Sequence, residues 1–341
     1  FPELDGIVQS VIDAEAGGLL LLLNRHGHPT PSASLFRSGF LPNDLLVLAE
    51  ACGAHFIHSD QKEHPGWLAA FGIEVLDLES FAALPALASL KPGTVIASAP
   101  IVLQTTDSLA LVYRLTDRLL PGNSKERVNA ILESLPIALT QRGNLQPPRS
   151  LWAAEPATVS LFDPLYGNDK FWSPDAWAEV PKDLAEWLPK YGGDAALELI
   201  EQLVSQGFPK LLAKQMDRLA SLYAHLAGWR SALTSDKAKR AKCSRLPIWQ
   251  RTDGAFKSAN ELSLPSTFVD PLGLGFVFGV ETLKQHLSEP QLQGVVRLLE
   301  ELGVTRLDLT SYCCRYVPQY ANTLPAKPSP EQSTQLFALL E

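Results

Sequence analysis

Cysteine is scarce in this sequence: Cys52, Cys243, Cys313 and Cys314 are the only four, and the last two are neighbours. Adjacent cysteines rarely bridge each other, because a disulfide needs a wider Cα separation than neighbours ordinarily give. No disulfide framework is therefore expected, and a reducing, cytoplasmic setting is. Long apolar runs are also missing. The longest, Gly17–Leu23, stops at Asn24-Arg25 and falls far short of the ~20 residues that span a bilayer, so it reads as a buried strand and no membrane partner is expected. Methionine occurs once and not at position 1. No signal peptide precedes the first strand, so the chain reads as a segment of a longer polypeptide. Positive charge is in deficit, with 29 Lys and Arg against 37 Asp and Glu, a net charge of −8. A general nucleic-acid or anionic-membrane binder needs a positive field, and this balance argues against both. Finally, no Gly-x-Ser-x-Gly elbow, His-Glu-x-x-His helix, Walker loop or dinucleotide fingerprint occurs. The motifs that present a nucleophile, a zinc ion or a phosphate are thus absent, and no catalytic residue or cofactor is assigned.

What is present is bulk, punctuation and repetition. With 341 residues, 46% of them hydrophobic, the chain is long enough for two or three packed units. Its 26 prolines imply many connections between short elements. Three stretches share one pattern, an apolar strand followed by a polar turn around a glycine: Leu21–His28, Leu135–Asn144 and Leu246–Ala255. The turn glycines Gly27, Gly143 and Gly254 stand 116 and 111 residues apart, and a tight hairpin turn demands the positive φ that glycine reaches without strain. A second landmark follows 45 to 49 residues later, an apolar helix end and a glycine, at Gly72, Gly192 and Gly303. These three are expected to close helices in the left-handed conformation. Behind the first and third come Ile73–Leu78 and Val304–Leu309, each ending Leu-Asp-Leu.

Ordered landmarks at near-constant spacing predict a triplicated unit, with repeat units at 1–134, 135–245 and 246–341. The first has a truncated start. The third fades into the proline-rich, polar stretch Leu324–Ser333 and has a truncated end. Helices are expected over Ser108–Leu120, Arg127–Glu133, Asp194–Ser205 and Pro209–Trp229, and a strand pair over Val95–Leu103. The class is α+β: tandem repeated units, each a β-hairpin or small sheet with packed helices.

The run Leu246-Pro247-Ile248-Trp249-Gln250-Arg251-Thr252-Asp253-Gly254-Ala255-Phe256-Lys257-Ser258, followed by a helix ending Leu298-Leu299-Glu300-Glu301-Leu302-Gly303-Val304, resembles the internal repeats of sacsin-like proteins. These are very large proteins that pair ATP-binding modules of the GHKL type with repeated regions. The resemblance implies chaperone-type or scaffold work, with protein clients or other domains of the parent chain as partners. It does not extend to an ATPase site. Asn260-Glu261-Leu262 and Asp270-Pro271-Leu272-Gly273-Leu274-Gly275 imitate one, but the loop spacing is off by one residue and Pro265 interrupts any helix that would carry the base.

Three other clusters carry chemistry in principle. Five of seven histidines lie between His26 and His64, and Cys52, His55, His58 and His64 are candidate zinc ligands, imidazole and thiolate being suited to that ion. The alternative is that these histidines are solvated or hydrogen-bonded. The basic run Lys237, Lys239, Arg240, Lys242 and Arg245 reads either as a phosphate grip or as the solvated end of a helix. The aromatic stretch Phe162–Trp187 reads as an exposed anchor surface or, in preference, as core. The leading expectation is a non-enzymatic repeat scaffold or client-binding segment of a sacsin-related protein. The alternatives are a nucleotide- or metal-dependent module with its site in the first unit, and a nucleic-acid-associated bacterial defence component.

Overall fold

The strands of this protein are two or three residues long, so their positions are set by the turns and caps around them. The computed structural model describes residues 21–39, 41–58, 68, 72–162, 170–207, 212, 215–268, 270, 277–318, 322 and 329–337. It is an α+β protein of small sheets and many helices, in two compact units: residues 1–159 with 167–190, and residues 160–166 with 191–341. The expected boundary at 134/135 falls inside the first of these, and that at 245/246 inside the second.

In the first compact unit the order is β1 (Leu21–Leu23), β2 (Pro29–Pro31), β3 (Leu35–Phe36), α1 (Asn43–Ala51), β4 (His55–Phe56), α2 (Leu78–Ala82) and α3 (Pro85–Ala88). Then follow β5 (Thr94–Val95), α4 (Thr106–Leu119), α5 (Lys125–Ser134), β6 (Ala138–Leu139), β7 (Asn144–Gln146), α6 (Pro156–Phe162), α7 (Pro174–Ala178) and α8 (Lys182–Ala185). The last residues of helix α6, Ser160–Phe162, belong to the second compact unit. That unit contains α9 (Gly193–Ser205), α10 (Met216–Gly228), α11 (Arg230–Thr234), α12 (Lys237–Arg245), β8 (Trp249–Gln250) and β9 (Phe256–Lys257). It ends with α13 (Val280–Leu283), α14 (Glu289–Glu301), α15 (Leu309–Arg315) and α16 (Pro330–Phe337).

Hairpins β1–β2, β6–β7 and β8–β9 are antiparallel, and each turns on a glycine with φ of 78°, 79° or 85° at Gly27, Gly143 and Gly254. In each the glycine amide donates to the carbonyl three residues back, on Asn24, Thr140 and Arg251, at 2.8–3.0 Å. Three bridges extend each hairpin into a small mixed sheet. Around the first they are Asn24 with Ile57 (antiparallel), Phe36 with Phe56 (parallel) and Arg37 with Val75 (parallel). Around the second they are Thr140 with Trp172, Trp152 with Phe171 and Ala153 with Lys190, in the same three senses. Around the third they are Arg251 with Phe278, Ser263 with Val277 and Leu264 with Arg306, again in those senses.

Helix ends obey local rules. Gly303 (φ 100°) closes α14 in a Schellman motif, with Val304 N–H on the Leu299 carbonyl at 3.0 Å. Gly72 (φ 69°) precedes a bond of the same span, with Ile73 N–H on the Leu68 carbonyl at 2.8 Å. Five residues on, Asp77 and Asp308 cap α2 and α15, their carboxylates accepting from Ser80 and Ser311 N–H at 2.8 and 2.6 Å. Gly192 departs from the expected role. Its φ of −161° is extended backbone and it is the N-cap of α9, so it stands where Asp77 and Asp308 stand. The residue at the register of Gly72 and Gly303 is Trp187, three before the bridging Lys190. A second departure is Val95–Leu103. Only Thr94–Val95 is a strand, and Ile96–Ser98 and Ile101–Leu103 are 3₁₀ turns. Pro100 between them lacks the N–H that a ladder would use. A third is α16, which begins inside the stretch read as a polar end; proline at a first helical position forfeits no intrahelical bond.

The Leu-Pro-Ile words acquire a physical meaning here. Ile137 N–H donates to the Leu135 carbonyl (3.0 Å) and Ile248 N–H to that of Leu246 (2.9 Å), three-residue turns about Pro136 and Pro247. Each turn stops a helix and starts a strand. Each is then fastened by a buried tyrosine from the longer helix upstream: Tyr113 Oη of α4 donates to the Ile137 carbonyl (3.1 Å) and Tyr223 Oη of α10 to that of Ile248 (2.6 Å). Tyr223 Oη also accepts from Gln250 N–H at 2.9 Å. The rings pack differently around this common bond. Tyr223 stacks on Trp249 (5.0 Å) and lies against Phe278 (5.8 Å), whereas Tyr113, opposite Ala138, meets the edge of Trp172 (5.7 Å).

Removing the Tyr223 hydroxyl strands two buried backbone groups, at a cost of about 1–3 kcal/mol. Tyr223→Phe is therefore expected to lower the unfolding free energy by that amount, seen as a lower urea midpoint at unchanged slope; a midpoint equal to that of the parent chain would show the bond to be dispensable.

Candidate functional site

The described surface of the first compact unit has a small cleft of about 250 Å³ lined by Asn24, His26, His28, Glu50, Ala54, His55 and Phe56. Local rules build it. The Asn24 side chain accepts from the amides of His26 and His28, both at 3.0 Å, an Asx turn that holds both imidazoles on the hairpin tip. Helix α1 brings Glu50, and strand alternation on β4 turns Phe56 inward and leaves His55 exposed. Glu50 lies 3.3 Å from His26 Nε2 and 3.5 Å from the Arg25 guanidinium, which also donates to Asn43 Oδ1 at 2.5 Å. The carboxylate is thus committed to the Arg25 guanidinium and the His26 imidazole, and the cleft is also lined by the apolar pair Ala54 and Phe56.

Of the four candidate metal ligands, His55 reaches the cleft and His58 stands just beyond β4, where its amide donates to the Leu23 carbonyl at 3.0 Å. Cys52 lies at the C-terminal cap of α1, buried, with burial pushing its thiol up to about 11. His64 lies outside the described residues. Among the described residues no group of three or more His, Cys, Asp or Glu could hold a metal ion.

The other candidates are occupied by structure. Glu261, the acid of the nucleotide-site imitation, accepts from Ser258 Oγ (2.7 Å) and Lys257 Nζ (3.1 Å) in a capping box. The Ser258 hydroxyl holds its carboxyl below the usual range, the wrong direction for a general base. The loop Pro271–Gly275 that would complete the imitation lies outside the described residues. The basic run forms α12, where Lys239 pairs with Asp194 and Lys242 with Glu201 (2.6 Å), both on α9. In the aromatic stretch Phe162, Phe171 and Trp172 are buried, and Trp177 and Trp187 pack against the core of the first compact unit; Tyr166 lies outside the described residues. No described helix is long and apolar enough to cross a membrane.

Sequence reasoning passed over two features. The first is the tyrosine fastening, whose signal is the echo of Leu109-Ala110-Leu111-Val112-Tyr113 in Leu219-Ala220-Ser221-Leu222-Tyr223. The second is a half-buried pair in the second compact unit, Tyr191 Oη with His225 Nε2 at 2.8 Å, packed against Phe162 and Trp229. Burial holds the His225 imidazole below its ordinary 6.5.

Comparison with known proteins gives no match to a family model, a curated protein or a solved structure.

Two outcomes are expected. With its folded-state pKa depressed, His225 leaves the unfolded chain binding the extra proton; its contribution to stability is full above about pH 6.5 and is lost as pH falls toward the folded value. His225→Gln should therefore flatten the fall in denaturation midpoint between neutral and mildly acid pH, and an unaltered profile would remove His225 as its source. Thiol titration of the native chain should label exposed Cys314 first. Cys52 and Cys243 should react only on unfolding, since burial raises their thiols to about 11 and about 12.

Proposed function

We propose that this chain is a non-enzymatic scaffold or client-binding segment of a large sacsin-like protein, built from three copies of one unit. The observation that carries the reading is the recurrence of one bridge pattern around three hairpins. The bridge residues fall at the same offsets from the turn glycine, three before it, nine after it and ten after it, with the same pairing senses. At two of these positions the side chains differ in chemistry, Asn24, Thr140 and Arg251 at one and Arg37, Ala153 and Leu264 at the other. What is kept is backbone geometry, and what varies is chemistry. A reaction centre demands the opposite, fixed chemistry at fixed positions. Stacked units of this kind bury their faces against neighbours and leave extended surfaces suited to recognition.

The ion pairs from α12 to Asp194 and Glu201 weigh against a phosphate-binding role for that helix. The histidine cleft keeps a metal- or nucleotide-dependent module as the rival reading.

Thermal-shift measurements with ATP, ADP and zinc separate the two, since a ligand that binds only the folded state raises its melting temperature. No shift is expected with any of them, and a reproducible rise with ATP would replace the scaffold reading with the rival. In parallel, the chain is expected to suppress light scattering by a heat-denatured test protein in proportion to its concentration. Client aggregation at an undiminished rate would remove the client-binding half of the proposal.

A further inference from the structure

We propose that the first hairpin is a docking site for a tyrosine-bearing amphipathic helix supplied by another unit of the same construction. The inference rests on the three-copy reading. Hairpins β6–β7 and β8–β9 each receive such a helix, α4 or α10, whose eighth residue is the tyrosine that fastens the incoming strand. Under that cover Leu139 and Gln250, the last residues of β6 and β8, are each only 8% exposed. The residue at the same register of the first hairpin is Leu23, and it is 43% exposed.

The backbone is arranged to match. Asn24 N–H closes the first hairpin on the His28 carbonyl (2.9 Å), as Arg251 N–H closes the third on that of Ala255 (2.8 Å). Antiparallel alternation then turns the N–H of Leu23 away from β2, as it turns that of Gln250 away from β9. In the third hairpin this outward amide is the one that meets the tyrosine oxygen. In the first, Leu23 N–H and the Leu21 carbonyl occupy the corresponding places.

Residues 1–20 contain no tyrosine, and the first in the sequence is Tyr113. A strand is not the missing cover. The second hairpin accepts β5 on the outer edge of β7, where Thr94 pairs with Leu145. The corresponding edge of β2 carries Pro29 and Pro31 at its outward-facing positions, and proline has no N–H to offer an added strand. A blocked edge beside an exposed leucine selects a helix.

The test uses a fluorescein-labelled peptide of residues 104–121, the α4 segment, titrated into the full chain and followed by anisotropy. Saturable binding is expected. It should weaken about tenfold with Leu23→Asp or Leu23→Gln, as for loss of an apolar anchor, and by a smaller factor when the peptide carries Tyr113→Phe. Circular dichroism melts confirm that the Leu23 variants remain folded, as expected for a half-exposed position. No saturable binding up to about 1 mM peptide, the weak end of specific association, would overturn the inference. Equal binding by the parent chain and both Leu23 variants would do so as well. The denaturation of Tyr223→Phe keeps the two levels apart. Loss of stability there with no peptide binding removes the docking site alone, while an unchanged midpoint removes the fastening on which the docking inference draws and leaves the bridge pattern of the three-copy reading untouched.

Discussion

A strand of two residues cannot satisfy its own backbone. It offers a pair of N–H and C=O groups to each side, the ladder ends almost where it starts, and each group left dry costs on the order of 1–3 kcal/mol. Nearly everything distinctive in this protein answers that constraint. Asn24 supplies a carboxamide oxygen to two amides of its turn, Asp77 and Asp308 supply carboxylates to helix starts, and Tyr113 and Tyr223 reach across from helices to the strands they precede. The fold is held in register by side chains that complete the backbone, and only then by apolar burial.

Packing is correspondingly tolerant. Tyr223 meets two aromatic rings, Trp249 and Phe278, which also meet each other; Tyr113 meets the edge of Trp172, and its strand carries Ala138 where the other carries Trp249. A single large core in the first compact unit joins residues of both its bridge sets, Phe56 and Trp172 among them. Cores keep their function when total volume and pattern are conserved while individual residues change, and these paired solutions show that freedom operating inside one chain. Charge follows the same logic. Helix α12, whose sequence is almost wholly basic and small, is set against acidic residues of α9.

Features written in a few consecutive residues are legible from the amino-acid order alone. The turn glycines Gly27, Gly143 and Gly254 have the positive φ their context demands, Gly72 has it too, and Gly303 closes a helix as its sequence requires. The α+β class and the helices around Ser108–Leu120 and Asp194–Ser205 belong here too. Gly192 misleads because Trp-Leu-Pro-Lys-Tyr-Gly repeats the letters of a cap while its proline and the following glycine shift the frame by five residues. Val95–Leu103 misleads because its apolar residues suit a strand and only Pro100 forbids one. Of the histidines, His26, His28 and His55 do converge, but sequence could not show that Cys52 would be buried at the end of α1 or that Glu50 would be drawn to Arg25. Those outcomes depend on which elements meet. The tyrosines lie between the two kinds, visible as a five-residue echo and intelligible only through the partners of their hydroxyls.

Strand β5 lies upstream of the 134/135 boundary, yet it pairs with a hairpin downstream of it. Sequence and architecture are therefore out of phase: the stretch that looks self-contained when counted from one Leu-Pro-Ile to the next borrows an edge from its predecessor. A gene fragment cut at that junction would bare the rim of β7 and leave Thr94 and Val95 with nothing to grip. Segments that interlock in this way fold as one piece, and they resist being cut apart.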